Sequence, residues 1–239
     1  MQKCILDGNR VGGCATCPPH CPHRIALNGL EGSGGRVGSS GIPSEYKHLT
    51  LSNSPAREHH KGVYESLGRY VQTFGTEEVR SVYLYSEEPG TGKTTTACAL
   101  LNEWIMREYV RYKKEGKTVP QLLGMFLDIN EMQSEYNIAT MTNDEDSLKR
   151  FGERIKKAQS VSYLVIDDIG VRDATEAFRS YIHSIINARV NNGLPTVYTS
   201  NLSISEMEEV FDARLYDRIR NNSGVIRMGG KSKRKHVGK

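Results

Sequence analysis

Three features of this 239-residue chain predict an α/β fold, a parallel five-stranded sheet flanked by helices. Strand-like and helix-like patterns alternate over most of its length, a glycine-rich loop joins the first strand to a long amphipathic helix, and an apolar run ends in two acids. A small cysteine-rich module precedes this domain.

Four of the five cysteines, Cys4, Cys14, Cys17 and Cys21, stand at the N-terminus. No apolar core of a signal peptide accompanies them, so C-x2-C with two further thiols reads as a metal knot before disulfides. Cys14 and Cys17 can grip one ion from a tight turn, and Cys4 and Cys21 complete a tetrahedron suited to Zn2+. His20 and His23 compete for a place in that set. Four thiolates also suit an iron–sulfur cluster, and a solvated tail with reactive thiols is the plainer alternative. Cys98, alone in a helical pattern, reads as a small buried residue.

The stretch "NGLEGSGGRVGSSG" is glycine-rich without a hydrophobic period and reads as a flexible linker. The expected organisation is therefore a zinc module over 1–27, a linker over 28–41, a connecting helical segment over 42–75, a main α/β domain over 76–234 and a basic tail over 235–239. Val63, Leu67, Tyr70, Val71 and Phe74 recur at helical spacing and predict a helix leading into the main domain. Strands follow at 79–85, 123–129, 163–167, 196–199 and 224–228. Between them lie helices at 94–112, 144–159 and 174–191, and two short ones near 206–211 and 214–220.

The loop reads "YSEEPGTGKTTTACALL". Gly90 and Gly92 let the backbone turn N–H groups toward an anion, and the following helix adds its positive end. Pro89, Gly90, Thr91, Gly92, Lys93, Thr94 and Thr95 are the expected ATP contacts, with Lys93 on the β and γ phosphates and the Thr94 hydroxyl on Mg2+. Glu87 stands where the usual pattern has its first glycine. It must find another turn geometry and direct its carboxylate away from the triphosphate.

In "SYLVIDDIG" a buried strand ends at Asp167, beside the loop and able to hold Mg2+ through water. Asp168 is the candidate to orient or deprotonate an attacking water. "VYTSN" puts Asn201 at the end of the next strand, where its amide can read the γ-phosphate. "ARLYDRIRNNSGVIRMGGKSKR" carries Arg214, Arg218 and Arg220 on one short helix and Arg234 beyond the last strand. An arginine reaching a neighbour's γ-phosphate stabilises transition-state charge.

Formal net charge is +4, and Lys and Arg crowd the segment 214–239 against the single acid Asp217. Such an end favours a phosphate-rich partner, a nucleic acid, although solvated basic tails are common. The most apolar stretches are far shorter than the roughly 20 residues a bilayer requires, so a cytoplasmic location without membrane contact is expected.

With "GTGKT", "LVIDDIG", "TSN", "DRI" and "GKSKR" in this order, the chain from Gly41 to Arg234 resembles the DnaC/DnaI-type replicative helicase loaders, a branch of the AAA+ ATPases. The resemblance implies an AAA+ ATPase domain without the usual C-terminal helical lid. It makes Lys93 and Thr94 Walker A residues, Asp167 and Asp168 Walker B, and Asn201 sensor 1. Arg218 becomes the arginine finger acting in trans, with Arg214 and Arg220 as alternatives, and Arg234 the sensor 2 arginine. It further implies ATP-dependent loading of a hexameric DnaB-type helicase onto single-stranded DNA, through self-association in a ring or spiral and release on hydrolysis. Tyr136 and its surroundings fall where such proteins carry a helical insertion near the DNA path, but the charge there is acidic and the segment is not a candidate DNA site. An IstB-like transposition helper, which shares the core, and an ATP-switch adaptor without turnover are the alternatives.

Overall fold

The computed structural model describes residues 20–30, 32, 34–170, 175–210 and 213–230, without side chains at 209 and 210. Cys4, Cys14, Cys17 and Arg234, and with them three of the four zinc candidates, lie outside the described residues. The chain runs α1 (Pro22–Asn28), α2 (Gly35–Ser39), α3 (Lys61–Gln72), β1 (Ser81–Tyr85), α4 (Lys93–Lys114), β2 (Met125–Asp128) and α5 (Ile129–Met141). It continues with α6 (Glu145–Ser160), β3 (Leu164–Asp167), α7 (Glu176–Asn191), β4 (Thr196–Ser200), α8 (Met207–Val210), α9 (Ala213–Asn222) and β5 (Ser223–Arg227).

All strand pairs are parallel, in the order β2-β3-β4-β1-β5. The inner strands β1, β3 and β4 are buried on both faces, which is why they read as continuous apolar runs rather than alternating ones. Val82, Leu84, Val165 and Val197 pack with α4, whose Ala97, Leu101 and Ile105 are fully buried, and with α1, α2 and α3 behind it. Tyr83, Leu164, Ile166 and Tyr198 face the opposite layer of α5, α6, α7 and α9. Cys98 is fully buried on α4, and burial raises its thiol pKa far above the usual range, as expected of an inert core residue.

Two of the differences from expectation have local reasons. The second strand stops at Asp128 instead of reaching Ile129, because the Asp128 carboxylate accepts N–H bonds from Asn130 at 2.8 Å and Glu131 at 3.1 Å and so starts α5. The glycine-rich stretch expected to be a flexible linker holds α2, which packs on the domain. Val37 is 3% exposed, and the Arg36 guanidinium donates to the carbonyls of Ala26, Val119 and Pro120 at 2.8–2.9 Å. Gly35 is a packing device there: its φ is +58°, and a Cβ would fall 2.5 Å from the Leu27 carbonyl oxygen. Ser40 then accepts the Phe126 N–H at 2.7 Å, covering part of the β2 edge.

Arg189 on α7 is fully buried. Its guanidinium donates to Ala158 O and Val161 O at the end of α6, to Pro195 O, and to Thr196 Oγ1, all at 2.7–2.8 Å. It ties α6, α7 and β4 together at the edge of the sheet where β4 begins.

Candidate nucleotide site

At the carboxyl ends of the strands a cleft of about 570 Å³ opens, where open parallel sheets bind ligands. The loop between β1 and α4 forms its floor. Gly90 and Gly92 have φ of 72° and 97°. At Gly92 a side chain is excluded on two counts, since a Cβ would also lie 2.7 Å from Ala56 Cβ. The 22-residue α4 then starts without a side-chain cap, leaving its first N–H groups to an anion.

Lys93 is 8% exposed and donates to Asn201 Oδ1 at 2.8 Å, with longer contacts of 3.4 Å to the Ser86 and Glu88 carbonyls. Asp167 accepts from Thr94 Oγ1 at 3.0 Å through Oδ2 and from Thr199 Oγ1 at 2.6 Å through Oδ1. Burial pushes the Asp167 carboxyl up to about 6, and the neighbouring carboxylates of Asp128 and Asp168 add to the shift, while the two hydroxyls oppose it. Register explains the crowding, because Asp128 stands opposite Asp167 across β2 and β3. Acids so gathered call for a cation. The hydroxyl and carboxylate oxygens fit Mg2+, and Thr94, whose O–H donates to Asp167, keeps its oxygen lone pairs for the metal.

Asp168 has a left-handed backbone, φ 57°. Its Oδ1 accepts from Asn201 Nδ2 at 3.1 Å, its Oδ2 from Asn130 Nδ2 at 3.0 Å, and its N–H donates to Thr199 Oγ1 at 2.9 Å. Lys93, Asn201, Asp168 and Asn130 thus form one polar chain across the cleft. Pro89, Gly90, Thr91, Gly92, Lys93, Thr94, Thr95, Asp167, Asp168 and Asn201 all line it.

Arg218 does not line this cleft. It lies on α9 and donates to Asn187 Oδ1 on α7 at 2.7 Å, while Arg214 and Arg220 are exposed on the same helix. Cys21 is a buried free thiol just before α1, His20 is exposed, and His23 Nδ1 lies 2.8 Å from Tyr109 OH. Among the described residues no group of three His, Cys, Asp or Glu is arranged for a metal ion. None of the described helices is long and apolar enough to cross a membrane.

Glu87 points out of the cleft and meets Arg227 Nη2 at 3.2 Å, both side chains being 61% exposed. An ion pair so wet contributes little. Glu87→Gly is accordingly expected to leave nucleotide affinity within about twofold in a fluorescent-nucleotide titration. A tenfold change would mean that Glu87 acts inside the site.

Sequence reasoning missed the upper wall, made by Tyr46, Pro55, Ala56, Glu58 and His59, and also Asp128, Asn130 and Thr199. The wall is held by tertiary bonds to the loop and α4. Asn102 Nδ2 donates to Tyr46 O and Leu49 O, Tyr64 OH lies between Ser54 Oγ and Thr96 Oγ1, and His60 Nε2 lies 2.9 Å from Thr91 O.

A family model described as IstB-like ATP binding protein matches residues 76–239. The replicative helicase loader DnaC of Escherichia coli (strain K12) is 29% identical over 138 residues, 58% of this chain and 49% of that protein. The replicative helicase loader DnaI of Bacillus subtilis (strain 168) is 27% identical over 172 residues, 66% of this chain and 49% of that protein. The chain thus spans about half the length of these curated relatives. A crystal structure of the DnaC helicase loader superposes with a TM-score of 0.59 at 21% identity, covering 78% of this chain and 100% of that one, which supports the AAA+-like fold.

Proposed function

The chain belongs to the IstB-like ATP binding proteins, and from that premise we propose that it is an AAA+ ATPase that loads a hexameric DnaB-type replicative helicase onto single-stranded DNA. The observation that carries this reading is the convergence of Lys93, Thr94, Asp167, Asp168 and Asn201 on one cleft, in a chain whose curated relatives are named replicative helicase loaders.

In this reading the loop N–H groups and Lys93 hold the triphosphate. Thr94 and Asp167 hold Mg2+, which neutralises phosphate charge when bound. Asp168 orients the attacking water and takes its proton, and Asn201, between Lys93 and Asp168, couples the γ-phosphate to that acid. Arg218 reaches the nucleotide of a neighbouring copy in a ring or spiral, and Arg234 serves as the second sensor in its own chain. The basic segment 214–239 follows the DNA, and hydrolysis releases the loader in the cytoplasm. Zn2+ held by Cys4, Cys14, Cys17 and Cys21 builds the surface that docks on the helicase. A second reading, a helper ATPase for a transposase on duplex DNA, rests on the name of the family model alone.

A pull-down with a purified hexameric replicative helicase, with and without ATP, tests the reading. The wild-type chain is expected to retain the helicase, and Cys14→Ser to lose about tenfold or more of that binding while keeping its ATP affinity. Tight binding that survives loss of the metal would sink the docking role of the zinc module. No helicase binding by the wild-type chain, with capture of a transposase instead, would favour the second reading.

A further inference from the structure

We propose that Thr199 is a positioning residue for the nucleotide reaction: one buried hydroxyl that sets the Asp167 carboxylate and the Asp168 backbone relative to each other. The inference rests on the hydrolysis reading above and names a residue that reading does not use.

β4 lies between β3 and β1, and Val165 pairs with Val197, so two residues further on Asp167 and Thr199 face the same layer, toward α4. Val82, Leu84, Val165 and Val197 make the inner part of this face apolar, and Thr199 is 1% exposed. Valine has the same branched shape and suits a strand equally well, so packing alone does not call for a hydroxyl. A buried hydroxyl is costly unless bonded. This one is bonded twice, and its proton count sets the direction of both bonds. Its single proton goes to Asp167 Oδ1 at 2.6 Å, so in the 2.9 Å contact it accepts from the Asp168 N–H. The Thr199 carbonyl also accepts the Ile169 N–H at 2.8 Å. Thr199 therefore anchors the two peptide N–H groups that follow Asp167, across the left-handed turn at Asp168. That turn is unfavourable for a residue with a Cβ and persists where its surroundings hold it. It directs the Asp168 carboxylate onto the amides of Asn130 and Asn201.

The test compares Thr199→Val, which keeps the shape, with Thr199→Ser, which keeps the hydroxyl. Two readouts are taken: steady-state hydrolysis, and the tightening of ATP affinity by Mg2+ measured by equilibrium dialysis. Thr199→Val is expected to lower kcat by about tenfold or more, with KM and Mg2+-free ATP affinity within about threefold, and to lose about fivefold or more of the Mg2+ tightening. Thr199→Ser is expected to restore both. Normal kcat and Mg2+ tightening in Thr199→Val overturns the inference. So does a Thr199→Ser variant as impaired as Thr199→Val, which would mark a packing role. Should Thr199→Val bind no nucleotide, Thr199→Ala is read by the same criteria, and loss of binding there as well also overturns it. If the wild-type chain hydrolyses no ATP with helicase and DNA present, the hydrolysis reading fails, and the Mg2+ tightening alone decides Thr199.

Discussion

Asp167→Asn is expected to abolish ATP hydrolysis and, at neutral pH, to make the nucleotide-free protein more stable. The carboxyl is 6% exposed and titrates at about 6 in the fold, against an ordinary value of 3.8. With the folded pKa raised, the folded state binds more protons than the unfolded chain between those two values. The contribution of Asp167 to stability is thus whole below pH 3.8 and is lost as pH rises through 6. At pH 7.5 the ionised carboxylate costs the ligand-free fold up to about 3 kcal/mol, a cost the neutral amide avoids. Thermal unfolding without ligand should show the variant melting up to about 6–12 °C higher at pH 7.5 and equal to wild type near pH 4. With Mg2+ and ATP the order should reverse, because the wild-type chain gains ligand stabilisation that the variant lacks. Hydrolysis should fall by about 100-fold or more. A variant that melts lower than wild type at pH 7.5 without ligand would contradict the strained, cation-seeking carboxylate described here.

Arg189→Met is expected to be the most damaging single change far from the cleft, costing about 3–5 kcal/mol in urea unfolding. The stem of methionine fills much of the same space, but the acceptors at Ala158, Val161, Pro195 and Thr196 lose their donors. Burial lowers the guanidinium pKa to about 10, with Tyr198 opposing the shift, so it remains charged near neutrality, and the bonds lost are charge-assisted. Because Arg189 sits where β4 begins and the cleft lies where the strands end, ATP affinity measured well below the melting temperature should stay within about threefold of wild type. A cost under about 1 kcal/mol would show that the four carbonyl and hydroxyl contacts carry little net energy.

The sheet was legible because its inner strands are buried runs and its helices repeat at three and four residues. Leu100, Leu101 and Ile105 lie on the predicted inner face of α4, and the strand that ends in Asp167 pairs on both sides within the sheet. The phosphate loop was legible because its glycines answer a local demand on the backbone. What stayed hidden depends on contacts between distant segments. Tyr46 and His59 reach the cleft only because Asn102, Tyr64 and His60 tie their segment to α4 and the loop. α2 hid behind its glycines, since Gly35 suggests freedom in a sequence and close approach to Leu27 in the fold. In the sequence Thr199 is an ordinary strand residue, and Asn201 is the polar residue that stands out at the end of the same motif. Arg189 leaves no signal in the sequence, because its partners are three backbone carbonyls and a hydroxyl, which make no charge pattern.

The central claim, that nucleotide held in this cleft drives helicase loading, is tested most directly on closed circular single-stranded DNA, which a closed ring cannot thread. The measurement is the amount of a hexameric replicative helicase that remains on the circle after the chain and ATP are added, for wild type and Lys93→Ala. The predicted result is ATP-dependent loading by the wild-type chain, falling about tenfold or more in Lys93→Ala, whose ATP binding is lost with the cation that faces Asn201. Equal loading with and without ATP, or undiminished loading by Lys93→Ala, would contradict it.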